Sequence, residues 1–465
     1  MGPKRPLGLG RSSLLKKKQK ILSSGLSPEV ELELKLELEL ELKNETPISS
    51  EEVAIADNEL TVELEEAVDP TDELSQLRAL WFTFLKSERD NELVLNGIIH
   101  ECDRLLRNTV GTKESSLKSS SNSDKLPAYF HSIYALSLAE LALFNSETDK
   151  VKDFFDAALE RVQLGFESHP NSSELFLAKS KILLNRIPLE YISKMDLDSQ
   201  VSGSKNPEVL NLLEDALDSY SKINKNENLK NSYFKECSEI LDSLNDLLDI
   251  VENFGRNDEG LDSDDEEEEI EEQQQQLEQK LSKKHPLYKL LQKIKDYTLW
   301  WRKNTQDLLL QLDFYIKENN LDKIQNEIGE NNELILLYRE INKKLGQSYL
   351  IESEEPSSIY ASLTYDNEDD LNEINGLTAE NSSKIAQNLI KKAISYLLKA
   401  EDPESPQSWV DIAEAQISLG NLFELESDEQ ENIYKEAEKR LRKANRATHG
   451  KYDDILNNLC SNNDD

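Results

Sequence analysis

Four chemically capable side chains stand in a row within the stretch NGIIHECDRLL, residues 96–106: His100, Glu101, Cys102 and Asp103. Thiol, imidazole and carboxylate groups serve nucleophilic catalysis and metal binding. On a helix, however, Cys102 falls on an apolar stripe made by Leu95, Ile98, Ile99, Leu105 and Leu106. A reactive cysteine needs an accessible, electropositive setting. The spacing therefore predicts a core position for Cys102, against the alternative of a hydrolase or transferase that uses His100 with Cys102.

The charged neighbours of Cys102 are predicted to face solvent. Asp103 and Arg107 stand four residues apart, a spacing at which an ion pair can form. A zinc motif of the HExxH type would require a second His where Arg104 stands. Neither a GxxxxGK[ST] loop nor a strand-linked GxGxxG turn occurs in the sequence. We therefore predict no catalytic, cofactor-binding or metal-binding residue and a protein that is not an enzyme.

The residues of this row are predicted to lie on a helix, because apolar residues recur every three or four positions from about Asp72 to about Leu459. Segments such as LPAYFHSIYALSLAELALF, KDFFDAALERVQLGF and SKIAQNLIKKAISYLLKA show this period, and strand patterns are almost absent. Successive helices are long enough to pair side by side. The sequence predicts an all-α protein built from antiparallel helical hairpins.

Small and large residues share one spacing on three of these helices. The sets are Ala158, Val162 and Gly165; Ala393, Leu397 and Ala400; and Ala437, Leu441 and Ala444. This spacing resembles the second helix of a tetratricopeptide repeat, in which small residues let paired helices approach closely. Trp409 stands where a first helix would carry its aromatic residue. We predict a tetratricopeptide-like array, with an irregular α-array as the alternative because no 34-residue period is sustained.

Composition divides the chain into four predicted regions. Residues 1–71 form a disordered tail with a basic segment at 4–20 and a Leu-Glu repeat at 29–43, which could alternatively add as a strand to a partner's sheet. Residues 72–256 form an N-terminal helical domain with a Ser-rich loop at 113–125. Residues 257–284 form an acidic and Gln-rich linker, and residues 285–460 form a C-terminal tetratricopeptide-like domain.

Two short segments predict regulation rather than catalysis. The basic segment has two clusters separated by ten residues, as in a bipartite signal for a nuclear import carrier. The residues of the two clusters are Lys4, Arg5, Lys16, Lys17, Lys18 and Lys20. A generic basic tail is the alternative, because it gives a similar pattern. In the linker, Ser263 precedes three acidic residues, the context that casein-kinase-type enzymes prefer. It is a candidate phosphorylation site, and an unmodified linker is the alternative.

Charge limits the classes of partner. Asp and Glu number 92 against 54 Lys and Arg, giving a formal net charge of -38, which repels nucleic acid. We expect protein partners, no direct binding of nucleic acid and no membrane insertion, because no apolar run reaches the roughly 18 residues of a membrane span. Only three cysteines, widely spaced, predict a reducing, intracellular compartment.

Several segments together resemble a known family. They are RPLGLG at 5–10, SERDNELVLNGIIHECDRLLR at 87–107, RIPLEYIS at 186–193, DLLDIVENFGRNDEGLDSDDEEEE at 246–269, SLTYD at 362–366, and the stretch from SWVDIAEAQ to KYDDIL at 408–456. In this order they resemble the fungal enhancer of translation termination family. The chain departs from the family in the Leu-Glu repeat, the Ser-rich loop and the Gln run at 273–276. All three departures lie in segments predicted to be disordered.

The resemblance implies a nuclear, non-enzymatic protein that is required for efficient translation termination and is linked to transcription regulation through partners. It implies no catalytic residue. We therefore expect a helical scaffold that binds proteins of the termination machinery or basic nuclear proteins. The alternative is an acidic chaperone of basic nuclear clients, histones or ribosomal proteins, that works through the segment at 257–276.

Overall fold

The structure is a computed structural model that describes residues 69, 71–111, 126–203, 205–224, 231–255, 281–319, 321, 330–365, 371–453 and 455–456. All of them belong to one compact unit, Val62–Asp465. The import-like segment at 4–20, the Leu-Glu repeat at 29–43, the Ser-rich loop at 113–125 and Ser263 lie outside the described residues. The predictions made for these segments stay predictions.

The described residues form thirteen α-helices, and within them β-structure is limited to two isolated bridges. The all-α prediction is confirmed. The helices are α1 (Glu73–Lys86), α2 (Glu92–Gly111), α3 (Ala128–Leu141), α4 (Thr148–Ser168), α5 (Ser173–Arg186), α6 (Val209–Ser221), α7 (Asn231–Glu252), α8 (Tyr288–Leu291), α9 (Ile294–Glu318), α10 (Glu330–Thr364), α11 (Ala379–Lys399), α12 (Pro406–Gly420) and α13 (Asp428–Ala447). None of these helices is both long and apolar enough to cross a bilayer.

Several helices begin at a polar residue that satisfies an otherwise unpaired backbone N–H. Asp72 accepts a hydrogen bond from the backbone of Ser75 at α1, and Ser172 accepts one from Leu175 at α5. Thr378 and Ser427 do the same for α11 and α13. Each such cap stabilises a helix start by about 1 kcal/mol, so these residues help to fix where α1, α5, α11 and α13 begin.

Neighbouring helices pair in chain order, as in an array of hairpins. The pairs α3 with α4, α5 with α6, α10 with α11, and α12 with α13 share the largest contacts, and α3 also packs against α5. The small residues lie at these interfaces. A Cβ on Gly165 of α4 would stand 2.9 Å from the Cβ of His131 on α3, and a Cβ on Gly346 of α10 would stand 2.8 Å from Cγ of Leu397 on α11.

The predicted small and large residues are core residues with one exception. Ala158, Ala393, Ala437, Leu441 and Ala444 are fully buried, and Val162 and Leu397 are almost so. Ala400 follows the last residue of α11 and is only partly buried. Trp409, Ile412 and Ala413 are buried on α12. The tetratricopeptide-like packing is therefore confirmed at the level of helical hairpins.

Two large hydrophobic clusters share helix α5. Ala178 and Ile182 of α5 join the cluster of α1 to α4, whereas Leu177 and Leu184 join a second cluster with α6, α7, α9 and α10. This second cluster contains Leu248, before the acidic segment, and Leu308, after it. Smaller clusters hold α11, α12 and α13 together. Helices on both sides of the acidic segment thus share one core, while the division into 72–256 and 285–460 stays a prediction.

Candidate functional site

The four residues His100, Glu101, Cys102 and Asp103 lie on α2 and face different sides of this helix. Cys102 is fully buried among apolar neighbours, as the spacing predicts. Burial, together with the nearby carboxylates of Asp103 and Glu101, raises the pKa of its thiol well above the ordinary value. His100 is exposed. Cys102 and His100 are therefore on different sides of the helix, and the thiol is kept protonated.

The charged residues of the same row bind other helices. Asp103 accepts a hydrogen bond of 2.5 Å from the hydroxyl of Tyr134 on α3. Burial and this hydrogen bond raise the pKa of Tyr134 to about 12. Arg104 forms ion pairs of 2.5 Å with Glu101 and 2.8 Å with Glu73 on α1. The spacing allows Asp103 to pair with Arg107, but its carboxylate accepts the hydrogen bond from Tyr134. This hydrogen bond lies at a packed interface, where it is less exposed to water.

A cluster of charged residues joins distant parts of the chain. Glu239 of α7 forms ion pairs with Arg89, between α1 and α2, at 2.6 Å and with Lys181 of α5 at 2.8 Å. The Lys181 ammonium also lies 3.5 Å from the carboxylate of Glu140 on α3. The side chains of Lys181 and Glu140 are only 11% and 7% exposed. Such a cluster holds charges that would be costly to bury alone.

The pKa values of the cluster follow from these contacts. Burial opposes ionisation of Glu239, but Lys181 and Arg89 outweigh it and lower its pKa to about 2. Burial likewise opposes the charge on Lys181, and Glu239 and Glu140 raise its pKa above the ordinary value. For nearby Glu236, burial outweighs the attraction of Lys181 and raises the pKa to about 7. Lys181 and Glu239 therefore stay charged together at neutral pH.

A groove lies between α4, α5 and α6, with a volume of about 270 Å³. Five of its ten lining residues are apolar, and two of the polar ones, Lys179 and Asp215, form an ion pair of 2.8 Å. The lining residues are Leu159, Val162, Gln163, Phe166, Phe176, Lys179, Leu183, Asp215, Ser219 and Lys222. A concave surface that combines apolar and polar side chains can bind another molecule. Sequence analysis missed this groove because its lining comes from three separate helices.

The residues predicted to act in import or phosphorylation lie outside the described residues: Lys4, Arg5, Lys16, Lys17, Lys18, Lys20 and Ser263. In the part of the chain that the structure describes, no three His, Cys, Asp or Glu side chains are arranged to hold a metal ion. The groove and the charged cluster are thus the features from which a function must be argued.

Comparison with known proteins places the whole chain in one family. A family model described as nuclear pore complex subunit Nro1 matches residues 1–460. The protein named enhancer of translation termination 1 from Debaryomyces hansenii is 49% identical over 99% of this chain and 100% of its own length. Its namesake from Scheffersomyces stipitis is 45% identical over 98% and 99%.

Among solved structures, that of the S. pombe nuclear import adaptor Nro1 resembles this fold with a TM-score of 0.47 and 18% identity, covering 81% of this chain and 94% of that chain. The sequence matches extend over the helical core, the groove helices and the charged cluster alike. The resemblance first indicated by motifs such as HECDRLL is confirmed, and the chain belongs to the Nro1 family, whose fungal relatives carry the name enhancer of translation termination 1.

Proposed function

We propose that this protein is a nuclear, non-enzymatic helical scaffold that supports efficient translation termination by binding other proteins. The observation that carries the proposal is the match over nearly the whole chain to relatives named for that effect. The family description as a nuclear pore complex subunit supports a nuclear location. A link to transcription regulation would follow from the same partners.

The groove between α4, α5 and α6 is the surface we assign to a partner. Its apolar residues can receive an apolar side chain from a short segment of a protein of the termination machinery, and the ion pair of Lys179 with Asp215 can orient the polar groups around it. Helical arrays bind partners on such surfaces between repeats.

Filling the groove tests the scaffold. In cells that depend on this chain, Gln163→Trp should raise stop-codon readthrough in a dual reporter, because the indole occupies the space that the partner needs. Glu167→Trp is the matched control, since residue 167 lies on the same helix, is exposed and does not line the groove. Equal readthrough in both variants, at equal protein abundance, would show that the groove does not act in termination.

The enzymatic alternative has its own test in the same cells. Combined His100→Ala and Cys102→Ala substitutions should leave readthrough normal, because the thiol is buried and protonated while His100 is exposed. Higher readthrough, with the folded protein present at its usual level, would favour catalysis.

The basic segment provides nuclear import in this proposal. Replacing Lys16, Lys17, Lys18 and Lys20 by Ala should move a fluorescent fusion out of the nucleus, because the carrier's acidic groove loses one cluster of ligands. A control with four exposed lysines replaced by Ala, at 150, 152, 384 and 391, changes the net charge equally. Unchanged localisation of the first variant would refute the bipartite signal.

An acidic chaperone is the second candidate function, favoured by the dense run of carboxylates between residues 257 and 276. Deleting that run separates the two functions. A chaperone should lose binding to core histones used as a basic probe, whereas the scaffold should retain normal readthrough without it.

A further inference from the structure

The last described helix, α13, carries a row of cations on the side opposite its packed face. Lys435, Lys439, Arg442 and Arg446 are exposed and spaced by four, three and four residues, so they fall within one narrow sector of the helix. The packed face of α13 is formed by Ala437, Leu441 and Ala444, which lie against α12. We refer to the four cations as the basic row.

The basic row departs from the composition of the chain. The chain has a formal net charge of -38, yet residues 435–451 contain seven Lys or Arg and two Glu. The outer helix of a repeat array needs a polar face to stay soluble, but carboxylates meet that need equally well. Solubility alone therefore does not account for four cations on one sector of α13.

Two members of the row are paired and two are not. Lys435 pairs with Glu431 at 2.8 Å and Arg442 with Glu438 at 2.6 Å, both one turn earlier on α13. Within the described residues, Lys439 and Arg446 form neither an ion pair nor a hydrogen bond through their side chains. Seven residues along a helix correspond to about 10 Å. A ligand for the row must therefore present anionic groups about 10 Å apart.

The surroundings of the row favour a protein ligand over a nucleic acid. Single-stranded nucleic acids bind through aromatic rings on which bases stack. The nearby rings are engaged within the fold: the Lys443 ammonium lies 3.6 Å from the centroid of the Trp409 ring, and the ring of Tyr434 lies against Gly420. Tyr452 is only 7% exposed. A long phosphate backbone would also meet the repulsive field of the rest of the chain.

We propose that the basic row binds an acidic helical segment of a partner protein, in which two carboxylates seven residues apart accept hydrogen bonds from Lys439 and Arg446. Carboxylates two turns apart on one face of a helix have the required separation. The row is formed by α13, whereas the groove is formed by α4, α5 and α6, so the inference adds a second contact surface to the proposed scaffold. It shares with that function only the need for protein partners.

Fluorescence anisotropy with the full chain tests this proposal without a termination reporter. The probe is a labelled helical peptide of about five turns with Glu at positions i, i+4, i+7 and i+11. We expect saturable binding that weakens as salt rises from about 50 to about 150 mM. Replacing both open cations, Lys439→Gln with Arg446→Gln, should weaken binding roughly fivefold or more. The control Lys150→Gln with Lys384→Gln has the same net charge and should change affinity less than about twofold.

Four outcomes would overturn the proposal. Equal weakening by the control pair would show that only net charge matters. Tighter binding of a single-stranded RNA with the same charge, lost in the Lys439 and Arg446 variant, would make the row a nucleic-acid surface. Stronger peptide binding after deletion of residues 257–276 would show that the chain's own acidic segment occupies it. A low-salt dimer that requires Lys439 and Arg446 would identify a second copy as the occupant.

Discussion

The interface around Lys181 and the interface between α12 and α13 are held in different ways. At the first, charged side chains from α3, α5, α7 and the α1–α2 connection meet, and Arg89 and Glu239 are 150 residues apart. At the second, small and large apolar residues of consecutive helices interlock, with Ala437, Leu441 and Ala444 fully buried. The first depends on contacts that are distant in sequence, and the second on spacing within one hairpin.

This difference implies different sensitivities to mutation. A partly buried ion pair is costly to break from one side, because the remaining charge loses its partner. An apolar interface loses stability in proportion to the volume removed, and the loss stays near the site. Substitutions in the two interfaces and in their neighbourhood measure this contrast.

Removing the central cation should have the largest effect. Lys181→Met leaves Glu239 and Glu140 without their shared partner and should lower the free energy of unfolding by about 3–5 kcal/mol in urea denaturation. The control is Lys179→Met on the same helix, whose partner Asp215 is 50% exposed, and it should cost at most about 1 kcal/mol. Similar losses in both variants would show that burial of the Lys181 ion pairs does not increase the cost of breaking them.

Truncation at the apolar interface should act locally. Leu441→Ala should cost about 3 kcal/mol, because a fully buried leucine leaves a cavity. Faster amide hydrogen exchange should be confined to α12 and α13, as expected for an array in which neighbours stabilise each other. Leu425→Ala is the control, since Leu425 is 73% exposed. Faster exchange throughout α1 to α7 would contradict the local character of this interface.

Two glycines offer a matched pair. Gly165→Ala places a Cβ 2.9 Å from His131 and from Leu175, and should lower the free energy of unfolding by about 1–3 kcal/mol. Gly97→Ala on α2 has open space around the added Cβ and should raise stability by up to about 1 kcal/mol, because alanine favours helix. Opposite signs in thermal unfolding would support close approach of α3, α4 and α5 through Gly165.

The effect at Glu236 depends on pH. Since the pKa of Glu236 is raised from 4.5 to about 7, the fold favours its protonated form, and stability falls as pH rises through that interval. Glu236→Gln should match the wild type near pH 4.5 and exceed it near pH 8 by at most about 3 kcal/mol, the value of the full pKa shift. Parallel pH profiles for the two proteins would show that Glu236 is ordinarily solvated.

Sequence reasoning succeeded where the contacts are local. The burial of Cys102 and of Ala437, Leu441 and Ala444 could be predicted because the period of a helix decides which residues share a face. The same reasoning predicted hairpins, since successive helices are long enough to pair side by side.

It does not reach the contacts that tertiary packing decides. The spacing allows Asp103 to pair with Arg107, but Asp103 accepts a hydrogen bond from Tyr134, which is 31 residues away in sequence. The partners of Lys181 and the lining of the groove come from helices whose proximity no spacing rule reveals. Charged residues are also frequent in an acidic chain, so the sequence does not distinguish the few that become buried from the many that stay exposed.

The approach of Gly346 to Leu397 has a consequence for the history of this family. The two positions share one volume between α10 and α11, because a Cβ at residue 346 would come within 2.8 Å of the leucine side chain. A relative with a side chain at 346 is therefore expected to have a smaller residue at 397. Paired substitutions at residues 346 and 397 among relatives would then reflect how closely α10 and α11 pack.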